Sequence, residues 1–185
     1  KLLEAAGASD PGVSSPPGLE DLKSTTPSKS YISPAWNKVT LPLIDANEAH
    51  KVMSKPWLIG FVEAEGSFYL VSKDKNRIVH GFCITQKLDG VVLEAIKSIL
   101  HISTKVVYKK RYGHHMLDTT NSRAISNVSE YFLNTMRGMK SVEYRIWSRS
   151  FNKYKGNFDR LSKVKELLQK LRTKRANNEL WSPKS

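Results

Sequence analysis

WLIGFVEAEGSF, residues 57–68, is the stretch on which the fold turns. It opens as an apolar helix, with Ser54 placed to cap it, Pro56 in its first turn and Gly66 as its stop. Glu63 and Glu65 stand at its far end, where helix carbonyls carry partial negative charge and acids are mildly destabilising. Gly60 lies inside the helix, at a cost of about 1 kcal/mol against alanine. Four residues before Ala64, it shares a face with that residue, and a face of small residues lets another backbone approach closely. Leu58, Phe61 and Val62 make most of the remainder apolar, so the pattern predicts a helix buried nearly all round. At the end of such a helix Glu65 needs a cation or a hydrogen-bond donor. Magnesium (Mg2+) is one such cation, because it takes one or two carboxylates together with waters and phosphate oxygens. A core helix whose polar end simply reaches solvent has the same composition.

Working outward, SFYLVS (67–72) and IVHGFCITQK (78–87) read as two strands joined by a polar turn. Asp89 begins a helix with Val92, Leu93, Ile96, Ile99 and Leu100 on one face. TKVVYKKRYG (104–113) and HMLDTT (115–120) read as a second strand pair around a Gly-His turn. Helices are expected near 122–135, 140–154 and 158–176, the last with Leu161, Val164, Leu167, Leu168 and Leu171 at helical spacing. The order α-ββ-α-ββ-α-α, with one more long helix behind it, makes an α+β fold: antiparallel strand pairs with helices on one face. Residues 1–36 are rich in Pro, Ser, Gly and Ala with no apolar period. They read as an extension that is disordered unless a partner holds it. Residues 37–176 then form the domain and 177–185 a C-terminal tail.

The 185 residues carry 30 Lys and Arg against 17 Asp and Glu, a formal charge of +13. Residues 1–33 hold Lys1, Lys23 and Lys29 against Glu4, Asp10, Glu20 and Asp21, so the excess belongs to the rest of the chain. A domain this basic points to a polyanion, nucleic acid first, although a merely soluble basic protein carries the same charge. Lys73, Lys75, Arg77 and Lys87 belong to the first strand pair, and Lys105, Lys109, Lys110 and Arg111 to the second. A two-stranded ribbon fits the major groove, where such side chains reach phosphates and base edges. Lysines protecting a solvated sheet edge produce the same pattern. Cys83 is the only cysteine, which excludes a disulfide framework and a thiolate zinc site. No apolar run approaches the length that crosses a bilayer, so no membrane partner is expected. The first residue is Lys1 rather than Met, as expected of a chain whose targeting segment has been removed.

LIGFVEAEG resembles the LAGLIDADG motif position by position. Leu58, Gly60, Ala64 and Gly66 are identical, Phe61 and Val62 conservative, and Glu63 and Glu65 replace two aspartates. FCITQK and the stretch from LDTTNS to VEYRIW are similar to later parts of the same family, so the likeness covers roughly residues 55–172 in element order. The resemblance implies a homing endonuclease or intron maturase fold with one motif. Motif helices of two copies would pack through Leu58, Gly60, Phe61 and Ala64, or a heterologous protein would cover that face. Glu65 would bind the divalent metal, Gln86 would lie near the metal-bound water, and Lys140 would stabilise the transition state. The two strand pairs would form a saddle in the major groove. Two functions follow from the likeness. One is a magnesium-dependent homodimer cutting both strands of duplex DNA at a long site. The other is a non-cleaving protein on structured RNA, as a group I intron maturase or a component of an organellar ribosome. Either places the chain in an organelle, the mitochondrial matrix or a plastid.

Overall fold

A computed structural model describes residues 46–177. The expected extension 1–36 and nearly all of the tail 177–185 lie outside the described residues. The chain order is α1 (Ala46–Val52), α2 (Lys55–Glu65), β1 (Gly66–Asp74), β2 (Arg77–Gln86), α3 (Gly90–Ile99), β3 (Val107–Lys109), β4 (His114–Thr119), α4 (Ser122–Tyr131), α5 (Ser141–Tyr154) and α6 (Phe158–Ala176). The strands make one antiparallel sheet in the order β1-β2-β4-β3, which is the expected α+β architecture.

Strand periodicity sorts the sheet into two faces. Phe68 and Leu70 of β1, Ile78, His80, Phe82 and Ile84 of β2, and Leu117 and Thr119 of β4 are buried against the helices. Tyr69, Val71, Val79, Cys83, Thr85, Met116 and Asp118 have the opposite parity and are only half-buried, so that face is open. Trp147 fills the centre of the core at 0% exposure, beside Phe68, and its indole N–H donates to the Tyr69 carbonyl at 3.0 Å. Behind it, Glu143 of α5 accepts from Arg172 Nε at 3.0 Å and also pairs with Arg175, both on α6. Arg172 reaches on to the Phe68 carbonyl, which ties α5, α6 and β1 together.

Local chemistry explains the element boundaries. The Ser54 hydroxyl accepts from the Trp57 N–H, with Pro56 in the first turn of α2. The Asn121 side chain accepts from Arg123 and Ala124 at the start of α4, and Asn157 from Arg160 at the start of α6. Two expectations need correction, and one element was not expected. The strand expected over 104–113 pairs only at Val107–Lys109, because it is an edge strand with one partner and the chain reverses at once. Gly113 donates to the Lys109 carbonyl at 2.9 Å and adopts φ +63°, a conformation glycine reaches without steric cost. The helix expected to 135 stops at Tyr131, and Asn134 follows with φ +58°. Helix α1 carries too little apolar pattern to be read in advance, yet Ala49 is fully buried within it.

Candidate functional site at the end of helix α2

Helix α2 is not buried nearly all round. Leu58 and Val62 are fully buried in the chain's own core, whereas Trp57, Gly60, Ala64 and Glu65 are exposed. Leu58, expected at the contact surface, is turned into the chain's own core instead. The outward side of the helix is made by Trp57, Gly60 and Ala64 with the half-buried Phe61, and the Trp57 and Phe61 rings stack at 4.8 Å. A β-carbon placed on Gly60 would meet no described residue within 4 Å, so among the described residues nothing fills the space beside it.

The C-terminal end of α2 is held by two reciprocal sets of bonds. The Glu63 carboxylate accepts from the backbone N–H groups of Arg137 at 2.8 Å, Gly138 at 2.7 Å and Lys140 at 3.3 Å. These amides lie in the loop that leads into α5, where successive N–H groups make a natural seat for an anion. In return, Lys140 Nζ donates to the carbonyls of Ala64 at 2.7 Å and Gly66 at 2.6 Å. A cation on the last carbonyls of a helix offsets the negative end of its dipole. Burial holds the Lys140 pKa below its ordinary value and Arg175 lowers it further, against the opposing pull of Glu143, Glu65 and Glu63.

The two glutamates consequently have different tasks. Glu63 is committed to the α4–α5 loop through three backbone amides. Glu65 is exposed and makes no hydrogen bond among the described residues. Gln86 stands at the same end of the sheet, because Gly66 pairs with Ile84 and β2 ends two residues later. Lys140 lies beside the carbonyls on either side of Glu65. The fold thus gathers Glu65, Gln86 and Lys140 at one end of the sheet. Among the described residues no cluster of three or more His, Cys, Asp and Glu could hold a metal ion alone. One free carboxylate matches what magnesium takes from a protein when phosphate oxygens and waters supply the rest.

The basic residues form two groups rather than one stripe. Lys73, Lys75 and Arg77 surround the tip of the β1–β2 hairpin. Lys87, Lys109, Lys110 and Arg111 lie at the opposite end, the one that carries Glu65, but Lys110 and Arg111 sit in a turn rather than on a strand. Lys105 precedes β3 and is exposed. Reading the sequence did not single out Gly138, Tyr69 or Asp118. Gly138 has no side chain and sits against the Glu63 carboxylate. The only advance signal was a glycine shortly after a helix, which reads as an ordinary stop. No helix among the described residues is long and apolar enough to cross a membrane.

Residues 58–151 match the family model described as LAGLIDADG endonuclease. The probable intron-encoded endonuclease Cox1-I1b of Schizosaccharomyces pombe is 43% identical over 129 residues, covering 67% of this chain and 33% of that protein. The probable intron-encoded endonuclease aI3 of Dictyostelium citrinum is 29% identical over 105 residues, covering 55% and 37%. The chain therefore spans about a third of the length of these curated relatives. Among solved structures, the archaeal intron-encoded homing endonuclease I-Vdi141I complexed with DNA is 25% identical with a TM-score of 0.55, covering 63% of this chain and 82% of that one.

Proposed function

The chain belongs to the LAGLIDADG endonuclease family, and from that membership we propose that it is a homing endonuclease making metal-dependent double-strand cuts in DNA at a long site. One observation carries this reading. The end of α2 is fixed from both sides by Glu63 and Lys140, and the single acid left free by that clamp is Glu65. A carboxylate open to solvent on a held stretch of backbone, beside a basic sheet, is arranged to hold a cation against phosphate.

In this reading the strands dock on the major groove through the open face, and the two basic groups take phosphates on either side. Glu65 would hold magnesium, which when bound supplies charge neutralisation and an activated water for phosphodiester hydrolysis. Lys140 keeps the carbonyls around Glu65 in place and brings a positive charge to the scissile end of the sheet. Gln86 orients solvent there. Because one chain offers one free acid, a second copy would complete the site by packing its α2 across Trp57, Gly60, Phe61 and Ala64. Residues 37–176 serve as the nucleic-acid-binding domain, flanked by 1–36 and 177–185. The relatives are named as intron-encoded, which supports an organellar setting, with the mitochondrial matrix as the compartment to test. The RNA reading rests on the same family likeness, and no observation among the described residues favours it.

The test is Glu65→Gln. The change removes a charge from the metal position but no groove contact, so magnesium-dependent cleavage should be lost. Duplex affinity should stay within roughly a factor of three, under 1 kcal/mol. Equal cleavage by the variant and the parent would exclude Glu65 as a metal ligand.

A further inference from the structure

One carboxylate stands within the face proposed to meet DNA. Asp118 of β4 lies on the open side of the sheet, pairing with Cys83 across β2. A negative charge there repels a polyanion unless it meets a hydrogen-bond donor. It is also held in place. The Tyr69 hydroxyl donates to Asp118 Oδ1 at 2.5 Å, from a strand that is not the neighbour of β4. To do so the tyrosine lies across β2 over Gly81, its partner in register, where any β-carbon would overlap the ring. Burial, followed by the hydrogen bond to Asp118, raises the tyrosine pKa, which keeps its proton on the hydroxyl as the donor. Asp118 Oδ2 has no hydrogen bond among the described residues. The pair lines an open cavity of about 580 Å³ together with Lys73, Thr104 and Asn121.

Resting on the endonuclease reading, we propose that Asp118, positioned by Tyr69, reads a cytosine in the target duplex by accepting from its exocyclic N4 amine. In the major groove cytosine shows a donor at this edge, which a carboxylate accepts. Adenine sets its N6 donor beside the N7 acceptor, guanine shows two acceptors, and thymine shows an acceptor and a methyl group. A free carboxylate oxygen therefore favours cytosine over the other three. Lys73, in the same cavity, offsets the charge that Asp118 brings near the backbone.

A duplex library with randomised positions, retained by the full chain under calcium in place of magnesium, tests this. The parent should enrich cytosine at one position by roughly fivefold or more, the discrimination expected of one base pair. Asp118→Asn should move that position toward adenine, which an amide contacts through N6 and N7. Tyr69→Phe keeps the ring over Gly81, frees the carboxylate and should weaken the same preference without altering other positions. A cytosine preference that survives Asp118→Asn, or is absent from the parent, overturns the proposal. A pair that only staples β1 to β4 would lower the melting temperature in both variants and leave base preference untouched, which also overturns it. A parent that retains no duplex at all overturns the endonuclease reading, and the base assignment with it.

Discussion

Gly138 shows how a single absent atom group holds the site together. It is exposed, and its importance lies in what lies against it: a β-carbon there would overlap the Glu63 carboxylate. Alanine would push Glu63 away from the amides of Arg137, Gly138 and Lys140, releasing the loop from the end of α2. Hydrogen bonds to a charged group are worth about 1.5–3 kcal/mol when well made. With solvent near, Gly138→Ala should cost about 1–2 kcal/mol in urea unfolding. In a Glu63→Ala background the overlap disappears, so Gly138→Ala should there be nearly neutral. A cost that is equal in the two backgrounds would show that the carboxylate is not what excludes the side chain.

At the scale of elements, β2 meets α5 through a buried polar chain. The His80 ring is 4% exposed, and its Nε2 lies 2.8 Å from the Ser150 hydroxyl, which itself donates to the Trp147 carbonyl at 2.8 Å. The serine proton is already used, so His80 Nε2–H is the donor. Burial between the Trp147 and Phe151 rings, with Lys155 nearby, pushes the histidine pKa down to about 4 from 6.5. The folded state then holds a neutral imidazole where the unfolded chain would protonate. Above the unfolded pKa both states are neutral and pH has no effect through this group. As pH falls from 6.5 toward 4 the unfolded state gains a proton first, and stability is lost across that window. Between pH 7 and pH 5 the loss should be about 2 kcal/mol. His80→Gln should lack this increment while sharing the rest of the acid response. Parallel unfolding free energies of variant and parent over that range would contradict the assignment.

For the whole molecule the face of Gly60 and Ala64 is where a second copy would pack. Their face is exposed here, flanked by the stacked Trp57 and Phe61 rings. A second α2 can approach only while both residues stay small. Gly60→Leu should leave the folded chain intact, since no described residue lies within 4 Å of where its β-carbon would stand, yet it should separate two copies. Dimer and cleavage would then be lost together. Sedimentation of parent and variant checks this. A parent still monomeric at tens of micromolar, well above the roughly 1 μM that corresponds to about 8 kcal/mol, would count against the homodimer and for a different partner on that face.

Features set by near neighbours in the chain were legible without coordinates. The Ser54 cap, the helix running to Gly66, the two-residue alternation of β1 and β2 and the apolar face of α3 all depend on residues a few positions apart. The string LIGFVEAEG also marked Glu65 as the acid to examine. Tertiary structure alone separated Glu63 from Glu65, because the amides that occupy Glu63 come from residues about 75 positions later. It alone turned Leu58 inward and left Gly60 and Ala64 outside, since burial depends on which neighbours arrive. The Tyr69–Asp118 pair spans 49 residues and needs Gly81 between them. Such contacts have no sequence period, because they arise only when separate strands and loops are brought together by the core.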